Sequence, residues 1–344
     1  MAESTLSTSQ YTLGSDNGTI HSFSTNTTDF ELSGQLNDQE RLYLLVYHCA
    51  MFIIGTISNA LLFICTLTFK QQQNTHSETV SALLGRDKES NFRINRVVIL
   101  ENLSFNGLMI CLAVIAPVVT THTVKYWALG HVMCKLIAQS TEILYTSGLL
   151  VYFTMSLHRL GVVVCPYTKV KPTEIRLLTM WLWVGTTFMV IFLNIFVLSH
   201  AEFDQFHGTC SILNQASFLL PRFVIYSVLY GGSLLTIFTC AVLLSVKSFC
   251  GRNPELDSSL APSLLFYTFA WTGLLVKMVS VSFEWPLSPL ADVVTTSAPE
   301  LQVALNPLLV FWRHTQLRET LSDLFKCVAC RAVGSGDDEM EMED

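Results

Sequence analysis

The stretch MSLHRLGVVVCPY, Met155 to Tyr167, sets a histidine and an arginine side by side where a long apolar run gives way to polar chain. From Ile143 to Leu157 no residue is charged, so Arg159 stands at the edge of a region that has kept charge out. A basic residue at such an edge is what a membrane interface favours. The whole chain carries the same signature: 51% of its 344 residues are hydrophobic and 14% are charged, against about 25% charged in a soluble domain. Apolar stretches long enough to cross a hydrocarbon core about 30 Å thick recur along it. They predict an all-α, polytopic membrane protein.

Seven such stretches are predicted, at 42–69, 96–121, 135–164, 174–198, 219–247, 260–282 and 290–312. An odd number puts the termini on opposite sides, and Lys and Arg decide which is inside. Arg41, Lys125, Lys135, Arg222 and Lys277, five of the 20 basic residues, fall on one side and the other 15 on the opposite side. The N-terminus is therefore expected outside, at the plasma membrane. The chain divides into a disordered tail (1–41), a helical bundle (42–312) with a long flexible first inner loop (70–95), and a C-terminal segment (313–344). The opening MAESTLSTSQ has neither a basic nor an apolar leader region, so the first stretch is expected to act as the insertion signal. Asn17 and Asn26 each begin a glycosylation acceptor pattern on the side that the charge bias assigns to the exterior. The acidic ending GSGDDEMEMED reads as a solvated tail. No basic, aromatic-interleaved surface suits nucleic acid. Membrane lipids are the implied surroundings.

Cys49, Cys65, Cys111 and Cys240 lie within apolar stretches and read as small buried hydrophobes. Cys134 and Cys210 fall at outer, oxidising ends, where a disulfide between them is expected to pin the second outer loop across the bundle mouth. Cys327 and Cys330 form a CxxC just inside the membrane, a placement that favours acylation over redox or zinc chemistry.

With Cys134 as a marker, Arg159 follows twenty-five residues later, about 37 Å along a helix and so one membrane crossing away. There His158, Arg159 and Leu160 resemble the DRY end of the third helix in rhodopsin-like G-protein-coupled receptors. The resemblance covers about residues 42–327. Gly55 and Asn59 in GTISNALL match the first helix; NLSFN with Asn106 is similar to the second; Trp183 matches the fourth; FAWTG with Trp271 stands where the sixth has CWxP. NPLLV, with Asn306 and Pro307, stands where the seventh has NPxxY, and the segment after Arg313, with Leu317 and Arg318, is similar to the short amphipathic eighth helix. A looser similarity points to prostanoid receptors of the prostaglandin E type. Those hold the lipid carboxylate with an arginine ten residues before the motif proline, where this chain has Ser297.

The resemblance implies a seven-helix receptor whose partner is a heterotrimeric G protein, contacted by Arg159 when the helices part. His158 replaces the neighbouring aspartate, which implies a lowered barrier to the active state and agonist-independent signalling. Gly107 and Gly148 fall where such receptors have the aspartate and serine of a sodium site, so none is expected. Asn59 and Asn306 are expected to hydrogen-bond across the core. Thr141 occupies the aspartate position of amine receptors, so a lipid or peptide ligand is favoured over an amine. Thr141, Glu142, Tyr145, Trp271, Lys277 and Glu300 reach pocket depth, and either acid could pair with Lys277 or contact ligand.

Several switches are altered: Gly273 for the kink proline of the sixth helix, Val310 for the motif tyrosine, and no proline in the fifth helix. A signalling-silent decoy or dimer partner, of the kind a virus could encode, is thus a second reading. A transporter is disfavoured by the absence of inverted repeats. An enzyme is disfavoured by the absence of paired catalytic carboxylates or an HExxH motif. No cofactor is implied.

Overall fold

The computed structural model describes residues 38–80, 87–125, 127, 129–164, 170–196, 200–204, 208–213, 224–250, 261–283, 285 and 287–334. The glycosylation acceptors Asn17 and Asn26 and the acidic ending 335–344 lie outside them. In chain order the elements are α1 (Asp38–Val80), α2 (Asp87–Ile110) continued through a π-turn (Cys111–Ile115) into α3 (Ala116–Val124), then α4 (Gly130–Val164) and α5 (Pro172–Phe196). A hairpin follows, β1 (His200–Asp204) and β2 (Thr209–Leu213), and a second π-turn (Ser227–Gly231) leads into α6 (Gly232–Cys250). The last three are α7 (Ala261–Ser282), α8 (Pro289–Arg313) and α9 (Thr315–Gly334).

Both π-turns have a local setting. The first immediately precedes Pro117, whose ring and missing N–H disturb the preceding turn. The second runs into Gly231 and Gly232 in a helix that has no proline. α3 stops at Lys125, which adopts a left-handed conformation (φ 67°) and donates its N–H to Thr121 O at 2.9 Å.

Among the described residues five helical segments are long and apolar enough to cross a membrane: 38–72, 95–124, 172–194, 224–246 and 261–280. α4 and α8, two of the seven predicted stretches, are not among them. The reason lies in what they touch. α4 packs against α2, α5, α6 and the hairpin and carries buried Thr146, Ser147 and Ser156, while α8 carries buried Glu300, Gln302 and Asn306. Side chains that face protein rather than lipid can be polar, which dilutes the apolar signal. The outer surface is the reverse: Trp181, Phe188, Val228, Leu235 and Phe269 are exposed around the bundle, a density of apolar surface that suits a lipid surround.

Two boundaries differ from expectation. The segment 70–95 is largely helical rather than a flexible loop: α1 runs on to Val80 and α2 begins at Asp87. The C-terminal helix is also long, twenty residues from Thr315 to Gly334, and is separated from α8 by His314 alone. It packs against α1 and α8 through buried Leu317 and Thr320, with Arg318 exposed. Its backbone includes Cys327 and Cys330.

Candidate functional site

Cys134 and Cys210 are bonded, with Cα atoms 5.2 Å apart and 76 residues of sequence between them. Cys210 pairs with Phe203 across the antiparallel hairpin. Phe203 meets Trp127 at 5.5 Å, and Trp127 donates its indole N–H to Gly130 O at 2.9 Å. The hairpin is thereby fixed over one end of α4. Of the other cysteines, Cys65, Cys111 and Cys240 are buried as expected, whereas Cys49 is only half-buried.

Below the hairpin lies an aromatic column. Trp271 is almost fully enclosed and stacks on Tyr267 (5.2 Å), meets Tyr145 edge-on (5.1 Å) and tilts against Tyr230 (6.1 Å). Tyr267 in turn stacks on Tyr152 at 3.8 Å. Gln302 ties the column to α8, accepting from the Trp271 indole N–H at 3.4 Å and donating to the Tyr152 hydroxyl at 2.8 Å. Tyr230 and Thr146 share a hydroxyl hydrogen bond at 3.0 Å. Tyr145 and Trp271, both expected at pocket depth, are in direct ring contact. Gln302, Tyr152, Tyr230 and Tyr267 were not anticipated; the one signal for Gln302 is an amide in an apolar helix.

Lys277 lies 3.1 Å from Asp292 and donates to Thr296 at 2.7 Å, both one helix away on α8. Glu142 accepts from Tyr226 at 3.3 Å and Asn194 at 3.4 Å. Glu300 faces His48 on α1 at 2.9 Å. Thr141 turns back to donate to Ile137 O at 2.8 Å. Ser297, at the position of the prostanoid arginine, offers its carbonyl to the Tyr47 hydroxyl at 2.8 Å.

The polar contacts between α1 and α8 follow from proline chemistry. Pro307 has no N–H, so Val303 O four residues earlier lacks its helical partner. Asn59 supplies one, donating to Val303 O at 3.0 Å and to Gly55 O at 2.8 Å. Ser58 donates to Ala304 O at 3.0 Å. The expected bond between Asn59 and Asn306 is thus replaced by one to the carbonyl that the motif proline exposes. Asn59 also fills the space over Gly107, where an added Cβ would fall 2.2 Å from its Oδ1. Asn106 does the same over Gly148, at 2.5 Å, while accepting from Ser147 at 3.3 Å. Amide side chains thus fill the space beside both glycines. Trp183 is half-buried and meets Phe105 edge-on at 6.1 Å.

At the opposite end of α4 from Cys134, Arg159 is only 4% exposed, with His158 and Leu160 half-buried beside it. Arg96 of α2 contacts His314, the residue between α8 and α9. Burial, then the Arg96 and Arg159 guanidinium groups, push His314 far below the ordinary imidazole range, so it is a neutral imidazole among arginines.

No protein-family model matches the sequence. A comparison with known proteins finds it 24% identical, over 267 residues, to a protein named rhodopsin from Sphodromantis sp.. The alignment takes in 68% of this chain and 70% of that protein. The similarity favours a receptor over an enzyme.

Proposed function

We propose that the chain is a rhodopsin-like G-protein-coupled receptor, crossing the plasma membrane seven times with its N-terminus outside and α9 lying along the inner membrane surface. It passes the signal of an extracellular lipid or peptide to a heterotrimeric G protein. The observation that carries this reading is the position of Arg159, enclosed beside Arg96 and His314 one helix length from the disulfide that holds the hairpin. The similarity to a rhodopsin over two thirds of the chain supports it. Ligand enters from the hairpin end, where Thr141, Glu142, Tyr145, Trp271, Lys277 and Glu300 line its route. Polar partners already seated at Glu142 and Lys277 favour a ligand with hydrogen-bonding groups over a bare cation. His158, Arg159 and Leu160 form the transducer-facing end, and the imidazole in place of a carboxylate raises basal activity. Asn17 and Asn26 carry glycans, and Cys327 and Cys330 carry acyl chains.

A second reading has a specific basis. Val310 is 2% exposed within the main apolar core and has no hydroxyl to exchange between partners. Gly273 lets the Thr295 backbone of α8 come within 3.2 Å of where its Cβ would be, which favours a fixed α7–α8 pair and a signalling-silent decoy or dimer partner. Ligand-independent G-protein recruitment in cells, at matched surface expression, separates the two. The receptor reading predicts recruitment above mock-transfected cells and its loss in Arg159→Ala. Recruitment no higher than mock would leave the silent reading standing.

A further inference from the structure

The start of α4 turns its side chains outward. From Gly130 to Leu136 only Cys134 is buried, against the hairpin, while Val132 is 73% exposed. Residues four apart share a helix face, so Val132 and Leu136 form one exposed strip and His131 and Lys135 the next. Lys125, at the end of α3, is exposed as well. Hydrocarbon is a poor cover for this surface. Cys134 is bonded to Cys210 of a two-stranded hairpin, and the open backbone edges of such a hairpin are not tolerated in a hydrocarbon core. The start of α4 therefore stands at the level of water and headgroups, where exposed Val132 and Leu136 gain from being covered.

Charge makes the same surface selective. The other cations at this end have acids beside them: Arg41 lies 3.9 Å from Asp38, and Lys277 lies 3.1 Å from Asp292. Among the described residues Lys125 and Lys135 form no ion pair. No acidic residue occurs between Glu101 and Glu142. The surface thus calls for a partner with carboxylates and apolar groups side by side.

The chain itself carries one within reach. Asp29, Phe30, Glu31 and Leu32 alternate acid and apolar, the order that places both carboxylates on one side of an extended segment and both apolar groups on the other. α1 begins at Asp38, six residues after Leu32, and six extended residues span about 20 Å. α1 and α3 are neighbours through the ring stack of His48 and His122, with centroids 5.5 Å apart. Asp38 lies ten residues outward of His48, and Lys125 lies three outward of His122. The two helix ends are therefore offset by about 10 Å along the bundle and about 10 Å across it, less than the connecting residues can cover.

We infer that Asp29 to Leu32 of the chain's own N-terminal segment docks on the start of α4, with its carboxylates on Lys125 and Lys135 and with Phe30 and Leu32 on Val132 and Leu136. The segment is thereby strapped beside the disulfide at the hairpin end. The strap goes beyond the receptor reading and does not depend on it.

Photocrosslinking tests it, with p-benzoylphenylalanine in place of Phe30 in the full chain, one copy to a nanodisc of phosphatidylcholine and phosphatidylserine. Irradiation followed by peptide mapping is expected to join residue 30 to the stretch Leu129–Leu136. Lys125→Glu with Lys135→Glu should lower the yield about fivefold or more, and Asp29→Lys with Glu31→Lys in that background should restore it. Should the doubly reversed variant fail to fold, Lys135→Glu alone with Glu31→Lys as its rescue serves instead. Crosslinks confined to lipid or to other parts of the chain overturn the inference. A yield indifferent to the reversal, or not restored by the second one, does so too.

Discussion

Asn59 does two things at once: it completes the carbonyl that Pro307 leaves bare, and it occupies the room over Gly107. Gly107→Ala forces a methyl against its amide and is expected to cost about 1–3 kcal/mol of stability as an overpacked site. In an Asn59→Ala background the same change should cost less, because the obstructing atoms are gone. Thermal unfolding of the four proteins in detergent checks this, and strictly additive effects would contradict it. Gln302→Leu removes partners from both the Trp271 indole and the Tyr152 hydroxyl, leaving buried polar groups unsatisfied at about 1–3 kcal/mol. A midpoint unchanged from wild type would show that the amide is dispensable. At this scale the sequence was legible where a residue is marked by its chemistry and its place. The bonded pair Cys134 and Cys210 is legible in this way. The contact between His48 and Glu300 was not, since 252 residues separate them and nothing in either neighbourhood names the other. The partner of Lys277 was missed for a related reason: Asp292 lies at the outer end of its helix, where an acid reads as solvated.

Among the elements, the hairpin is the one whose position is imposed by covalent chemistry rather than by its own strands. Two five-residue strands are marginal alone. Cys210→Ser is expected to lower stability by about 2–4 kcal/mol, as for other long disulfide-closed loops, and to raise hairpin exchange without unwinding the helices. Loss of helical circular dichroism at room temperature would contradict that separation. The helices show where pattern reading succeeds and where it misleads. Apolar length located the five helical segments that, among the described residues, are long and apolar enough to cross a membrane, but it set the end of α1 near 69, where lipid would stop, while the backbone hydrogen bonding continues to Val80. Helix ends follow capping and propensity, and hydropathy reports neither. The π-turn at Ser227–Gly231 was likewise hidden, because no proline marks it in the sequence.

For the molecule as a whole, the account rests on a division between two ends: the disulfide, the hairpin and the His48–Glu300–His122 cluster at one, Arg159, Arg96 and His314 at the other. Composition made the membrane setting legible, because a chain with so little charge must keep its apolar surface away from water. Which helices face lipid was less legible, since α4 and α8 hide polar side chains against their neighbours and so weaken their own apolar signal. The division of the two ends across the membrane can be measured with a glycosylation acceptor inserted in the hairpin turn and a protease-cleavable tag after Gly334, each read in sealed microsomes. The account predicts a glycosylated hairpin and a tag cut from the cytosolic side. An unmodified hairpin with a protected tag, or both markers on one side, would contradict it.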